Sequence, residues 1–298
     1  MSASLLDRAY RSIRGELDRT HEIIITALRN ADVELEQIDR YIYTVPGKML
    51  RPALVLLSGL GVTGSKDHAG DLVLLAAVFE LFHNASLIHD DLIDEESVRR
   101  NVPTVHAVFG PHIAVLAGDV LITRAFALLS SSFPPPIVER VIDVATDMCH
   151  GEILAAARKN ESIQTPVYEE IVRLKTARMM GVACETGAMV GGAHAERARA
   201  YSEFGMSFGR AYQLVDDLID KDHVVARSEV VGLLEPELAS LHEHVSDLPQ
   251  NLYTGGLRTI VDYLLEIGRG LTDERQSATI RSRIIDPSKA ADRVGHGR

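Results

Sequence analysis

Residues 79–110 read FELFHNASLIHDDLIDEESVRRNVPTVHAVFG. The stretch begins as an apolar helical run and then turns abruptly acidic, with Asp90, Asp91 and Asp94, before the adjacent Arg99 and Arg100. Residues four apart on a helix lie one above the other, so Asp90 and Asp94 share a face while Asp91 sits about 100° round. Stacked carboxylates at the end of an apolar stripe are costly to bury unless cations neutralise them. The same pattern returns at Tyr212–Asp220, YQLVDDLID, with Asp216, Asp217 and Asp220 at identical spacing. One such cluster is ordinarily a solvated helix terminus. Two, each closing an apolar helix, point to a site.

Outward from this stretch, nearly every periodic segment repeats at helical spacing, and no strand pattern of any length appears. Helices are predicted over 5–29, 35–45, from Pro52 to the Gly59–Gly64 region, over 71–91, 111–130, 137–157, 166–192, 196–221, 230–245 and 256–268. Asn101–Pro103 breaks the pattern, and SSSFPPP at 130–136 reads as the clearest loop. The predicted architecture is an all-α helical bundle in a single domain over 1–298, with a polar tail from about Thr272.

The 298 residues are 46% hydrophobic, ample for a large core, and carry a formal charge of −11. That acidity argues against a nucleic-acid partner. Cys149 and Cys184 have no metal or redox spacing and read as inert buried thiols of a reducing compartment. The N-terminus lacks a signal peptide's apolar centre, and no uninterrupted apolar run approaches the roughly 18 residues of a membrane span. A cytoplasmic protein without a transmembrane segment is the expectation.

The two carboxylate groups, 126 positions apart (216 − 90), could face each other across a bundle. Carboxylates without a His or Cys ligand set suit hard cations such as Mg²⁺, which takes one or two carboxylates together with substrate phosphates. Basic candidates for an anion lie beside helix ends or aspartates: Lys48, Arg51, Arg99, Arg100 and Lys175. Lys48 and Arg51 alone would be ordinary surface charges. His83, on the face of Asp90, could equally be a satisfied core histidine. His89 reads as packing locally.

Taken together, GKMLRP at 47–52, HNASLIHDDLIDEESVRR at 83–100, LAGDVL at 116–121, LKTA at 174–177 and YQLVDDLID at 212–220 resemble the trans-isoprenyl (polyprenyl) diphosphate synthases in order and separation. The resemblance covers about 35–221. It implies an isoprenoid-synthase-type bundle around a central cavity, a homodimer (or a pairing with a heteromeric partner), and condensation of isopentenyl diphosphate with an allylic diphosphate. By resemblance, Asp90, Asp94, Asp216 and Asp220 are the metal ligands for Mg²⁺, three ions per active site. Asp91 and Asp217 support them, and Lys175 belongs to the same catalytic group. Gly47, Lys48, Arg51, His83 and Arg100 match positions that bind isopentenyl diphosphate. Arg99, Lys175, Thr176 and Gln213 match those around the allylic substrate.

The growing chain would run down the helix before Asp90. Ala85 and Ser86 are small there, with Phe82 a layer deeper, which implies a product of twenty carbons or longer. One departure stands out: after the second cluster the chain reads DKDHVVARSEVVGLLEPELASLHEHV, without the family's Gly- and Lys-rich loop. Lys221 or Arg227 is the candidate replacement cation. The loss leaves a weakened regulatory or partner subunit as one alternative, and a terpene cyclase as another.

Overall fold

A computed structural model describes residues 2–29, 32–42, 47–158, 162–219 and 225–272. The expected polar tail lies outside the described residues, as do Asp220 and Lys221. The N-terminal region forms α1 (Ser2–Tyr10), a 3₁₀ turn (Arg11–Ile13), α2 (Arg14–Leu28) and α3 (Val33–Ile42). Next come α4 (Leu50–Thr63) and α5 (Ala69–Ile93), then β1 (Val98–Arg99), β2 (Val102–Pro103) and the short α6 (Val105–Phe109). The middle of the chain holds α7 (Pro111–Ser132), α8 (Pro135–Ala156), α9 (Thr165–Val172), a π-helical turn (Arg173–Ala177) and α10 (Arg178–Val190). The described chain ends with α11 (Ala195–Ile219), α12 (Arg227–Ser246) and α13 (Leu252–Thr272).

The all-α expectation holds, with two local differences. The predicted loop at 130–136 shrinks to Phe133 and Pro134, because serines carry α7 to Ser132 and Pro135 starts α8 at the first turn, where its missing N–H costs nothing. Residues 98–103 form a two-residue antiparallel hairpin, Arg99 opposite Val102, that no periodicity announced. Arg100 and Asn101 turn it with φ of 53° and 64°. Two positive φ values give a loop whose twist matches the flanking strands.

Apolar side chains from Ala9 to Leu271 form one contiguous core. At its centre α5 is apolar nearly all round for its first half, as a fully enclosed helix must be. By length and composition α5 and α7 would each cross a bilayer, which the search for uninterrupted runs did not reveal. The apolar window of α5 is 67% buried inside the molecule, and α5 carries Glu80, His83 and Asp90 there, which marks a core helix. α7 is covered on one face only; its window is 33% buried, and Val115, Leu116 and Val120 face outward. Of the two cysteines, Cys184 is buried and its thiol is pushed up to about 12 by that burial, whereas Cys149 is exposed, contrary to expectation.

Candidate active site

Five pieces of chain carry the predicted residues to one region. The last turn of α5 supplies Asp90 and, just beyond it, Asp94; the last turns of α11 supply Asp216. The first turn of α4 supplies Arg51, the π turn supplies Lys175 and Thr176, and the hairpin supplies Arg99 and Arg100. The convergence is legible in the electrostatics. Burial depresses the pKa of Arg51, but Glu80, Tyr212, Asp216 and Asp90 all act against that, so Arg51 lies within reach of both acidic tips.

Asp90 is pushed up to about 7, first by burial and then by Glu152 of α8; Lys175 and Arg99 offset this only in part. Lys175 binds Glu152 at 2.7 Å. Burial opposes its charge, yet Glu152, Asp90 and Asp94 outweigh that and raise it above the ordinary lysine value. Glu152 is thus an acidic neighbour of Lys175 and Asp90 that motif reading missed. Nothing in its helical neighbourhood, HGEILAA, distinguishes it from a solvated glutamate.

The π turn has a packing cause. Where α8 and α11 grip it, Gly151 and Gly209 stand in for larger residues: a Cβ on Gly151 would lie 2.9 Å from the Lys175 backbone nitrogen, and one on Gly209 would lie 2.6 Å from the Ala177 Cα. Single-turn π segments of this kind recur at functional sites, where they redirect side chains. Here the turn lets Lys175 meet Glu152 while Thr176 is buried and donates to Gln213 Oε1 at 2.7 Å.

The second predicted subsite opens between the N-terminal helices and α5. Gly47, Lys48, Met49, Glu80 and Asn84 line a cavity of about 320 Å³ that α1 and α2 close with Tyr10, Arg14 and His21. Arg100, at the hairpin tip, reaches across to Gly47; its Nη1 would lie 3.5 Å from a Cβ there, and Glu80 Oε1 3.3 Å from it. His83 is held neutral, its pKa well below the ordinary histidine value through burial and then Arg51, Arg100 and Arg99. Its Nδ1, the Arg51 Nε, the Glu80 Oε2 and the Tyr10 hydroxyl are buried without hydrogen-bond partners. Such a set is not a satisfied core network. Glu80 is pushed up to about 7 by burial, against the pull of Arg51 and Arg100. Its signal was in plain view, an acid inside the apolar run AAVFELF.

Not every predicted residue faces these spaces. Asp91 is buried and bound by Arg99 Nε, while Arg99 Nη2 reaches Glu96 at 3.3 Å. Asp217 accepts from Tyr168 of α9 and from Gln213 Nε2 at 2.8 Å. Arg227 donates to the carbonyls of Leu218 and Leu271, tying α11 to α13. His89 packs over Gly118 and meets the Val115 carbonyl at 3.2 Å, the local role expected of it. Ala85 is buried, Ser86 bonds back to the His83 carbonyl at 2.9 Å, and Phe82 meets Phe126 of α7 edge-on with centroids 5.1 Å apart.

The donor chemistry fits a divalent cation. Asp90 is a carboxylate whose charge is disfavoured first by burial and then by Glu152, a penalty a cation would relieve. Among the described residues, no three His, Cys, Asp or Glu side chains close on one point.

Comparison with known proteins places the chain in a family. Residues 32–230 match the sequence model of the family described as polyprenyl synthetase. Over 228 residues the chain is 37% identical to a geranylgeranyl diphosphate synthase of Methanosarcina mazei, covering 74% of this chain and 65% of that one, slightly less than two thirds. Over 278 residues it is 31% identical to an octaprenyl diphosphate synthase of Haemophilus influenzae, 88% of this chain and 83% of that one. The crystal structure of a Caulobacter crescentus polyprenyl synthase complexed with calcium and isoprenyl diphosphate superposes with a TM-score of 0.79 at 20% identity, covering 87% of this chain and 97% of the other.

Proposed function

This chain belongs to the polyprenyl synthetase family, and from that premise we propose that it joins isopentenyl diphosphate to an allylic diphosphate, head to tail and trans, giving a polyprenyl diphosphate of twenty carbons or longer. The observation that carries the reading is a double set of anion-ready groups near the acidic tips. Lys175 lies beside Asp90, next to Thr176 and Gln213, which are bonded to each other. Arg51 and His83 form a second set with Arg100 nearby, the Arg51 Nε and His83 Nδ1 being buried without hydrogen-bond partners. One diphosphate for each set is the simplest complement.

In this reading Lys175 and Arg99 hold the allylic diphosphate, with Thr176 and Gln213 fixing the wall beside it. Asp90, Asp94 and Asp216, with Asp220, would hold Mg²⁺, three ions for one site. When bound, these ions would lower the charge on the leaving diphosphate, a Lewis-acid task. The allylic C–O bond then breaks with both electrons leaving on the diphosphate. The alkene of isopentenyl diphosphate, oriented by Lys48, Arg51, Arg100 and neutral His83, supplies its π electrons to the new C–C bond. The proton lost from the adduct passes to the released diphosphate. Fixed cations placed where charge develops account for the acceleration, and the mechanism needs no protein nucleophile.

The tail would descend between α5 and α7, past Ser86 and Ala85 to the Phe82–Phe126 pair. The outward apolar residues of α7 and α8, Leu116 at 59% and Ile153 at 66% exposure among them, support a homodimer. We read the whole as one cytoplasmic domain. The test is purified protein with Mg²⁺, labelled isopentenyl diphosphate and allylic primers of several lengths. Elongated diphosphates are expected. Cyclised or hydrolysed primer would favour the cyclase reading, and turnover only with an added second chain would favour a partner subunit.

A further inference from the structure

Tyr168 lies on α9, outside every motif, yet its hydroxyl reaches the second acidic cluster. The side chain is 3% exposed, and the hydroxyl donates to Asp217 Oδ2. Asp217 Oδ1 accepts from Gln213 Nε2 at 2.8 Å, and Gln213 Oε1 accepts from Thr176 at 2.7 Å. These bonds form one chain, Thr176 to Gln213 to Asp217, closed from the far side by Tyr168. It crosses from the π turn to α11 and back to α9. Tyr168 and Lys175 are seven positions apart on one continuous helical run, so the phenol and the ammonium are set by the same segment. Tyr168, Lys175, Gln213 and Asp217 also border a cavity of about 140 Å³ beside the site.

We propose that Tyr168 is a positioning residue: by holding the Asp217 carboxylate it fixes the last turn of α11, and so aims its neighbour Asp216 at the metal-binding space. The inference rests on the prenyl synthase reading. Its chemistry is that of an outer-layer hydrogen bond which orients a metal-binding carboxylate group, the kind of contact whose loss weakens metal affinity without touching the ion. Burial, and then the charge of Asp217, keep the phenol protonated far above neutral pH, so it acts as a donor throughout the working range. Asp217 on this account holds the helix end. Asp216 beside it, an exposed residue, does the binding.

The test uses Tyr168→Phe, which keeps the buried ring and deletes only the donor, together with Asp217→Asn and the double variant. The readout is Mn²⁺ binding by electron paramagnetic resonance on the full chain with inorganic pyrophosphate, so it does not depend on turnover. Tyr168→Phe is expected to raise the half-saturating Mn²⁺ concentration about tenfold, while its melting temperature stays close to that of the wild type. The double variant should bind like Asp217→Asn alone, because both changes break one link. In turnover, the shift should appear as a higher Mg²⁺ requirement that saturating metal restores. Unchanged Mn²⁺ binding in Tyr168→Phe, or effects that simply add in the double variant, would overturn the proposal while leaving the enzyme reading intact. A melting temperature that falls in step with Mn²⁺ affinity would reduce Tyr168 to a packing residue and overturn it too. Wild-type protein that binds no Mn²⁺ with pyrophosphate would refute the metal reading itself, and this proposal with it.

Discussion

Replacing Phe82 with alanine tests where the product chain stops. Phe82 lies eight residues before Asp90, which at 1.5 Å per residue puts it about 12 Å down α5 from the acidic tip. It is 5% exposed and meets Phe126 of α7 edge-on. Above it, Ser86 and Ala85 leave the wall low, so this aromatic pair is the first bulky obstacle along the helix. Removing the Phe82 ring deepens the channel by about one turn, roughly 5 Å, comparable with the length of one extended isoprene unit. Products should therefore lengthen by one unit or more, as read by chromatography of the dephosphorylated prenols. The substitution should also destabilise the fold by about 3–5 kcal/mol, because a large buried ring leaves a cavity; of this, about 1 kcal/mol belongs to the lost ring pair. Phe126→Ala should lengthen products in the same direction. Leu57→Ala, in the core against Gly256, supplies the control: comparable destabilisation with no change in length. An unaltered product profile in Phe82→Ala, with the protein still folded, would show that the tail does not run along this face.

Three further outcomes follow from the charges. Asp90→Ala and Asp216→Ala should each lower turnover by about 10²–10³-fold, with the circular dichroism of the helices nearly unchanged; near-normal turnover in either would remove that residue from the metal site. Glu152→Gln takes a negative charge from beside Asp90, so the Asp90 pKa should fall and the acid limb of the rate profile should move down by roughly one pH unit; a fixed limb would mean that Glu152 does not act on Asp90. In metal-free protein, Glu80 titrates near 7 when folded against 4.5 ordinarily, and Asp90 near 7 against 3.8. The unfolded chain then loses these protons first, so their contribution to stability is greatest below about pH 4 and declines as pH rises toward 7. Melting curves in a chelator should show Glu80→Gln gaining on the wild type between pH 5 and pH 8, and a constant difference would contradict the assignment.

How much of this could be read from the sequence depends on how far apart the interacting groups lie. Helical periodicity fixed the bundle because each apolar stripe is a property of one segment, and proline or glycine marked most ends. The hairpin at 98–103 escaped notice because two residues per strand are too few to show a period. The aspartates announced themselves by local spacing, and that spacing even predicted that Asp91 diverges from Asp90 by about 100°. Spacing could not reveal that Asp91 meets Arg99 across a turn, or that Arg227 closes the ends of α11 and α13. Tyr168 and Glu152 were invisible for the same reason; the partner of Tyr168 is 49 positions away in the chain. A carboxylate's charge is written in the chain, but its task is set by what the fold brings opposite it. Asp90 is disfavoured as an anion by burial and by Glu152, a penalty an ion would relieve. Asp91, one residue on, is buried against the Arg99 guanidinium that pairs with it.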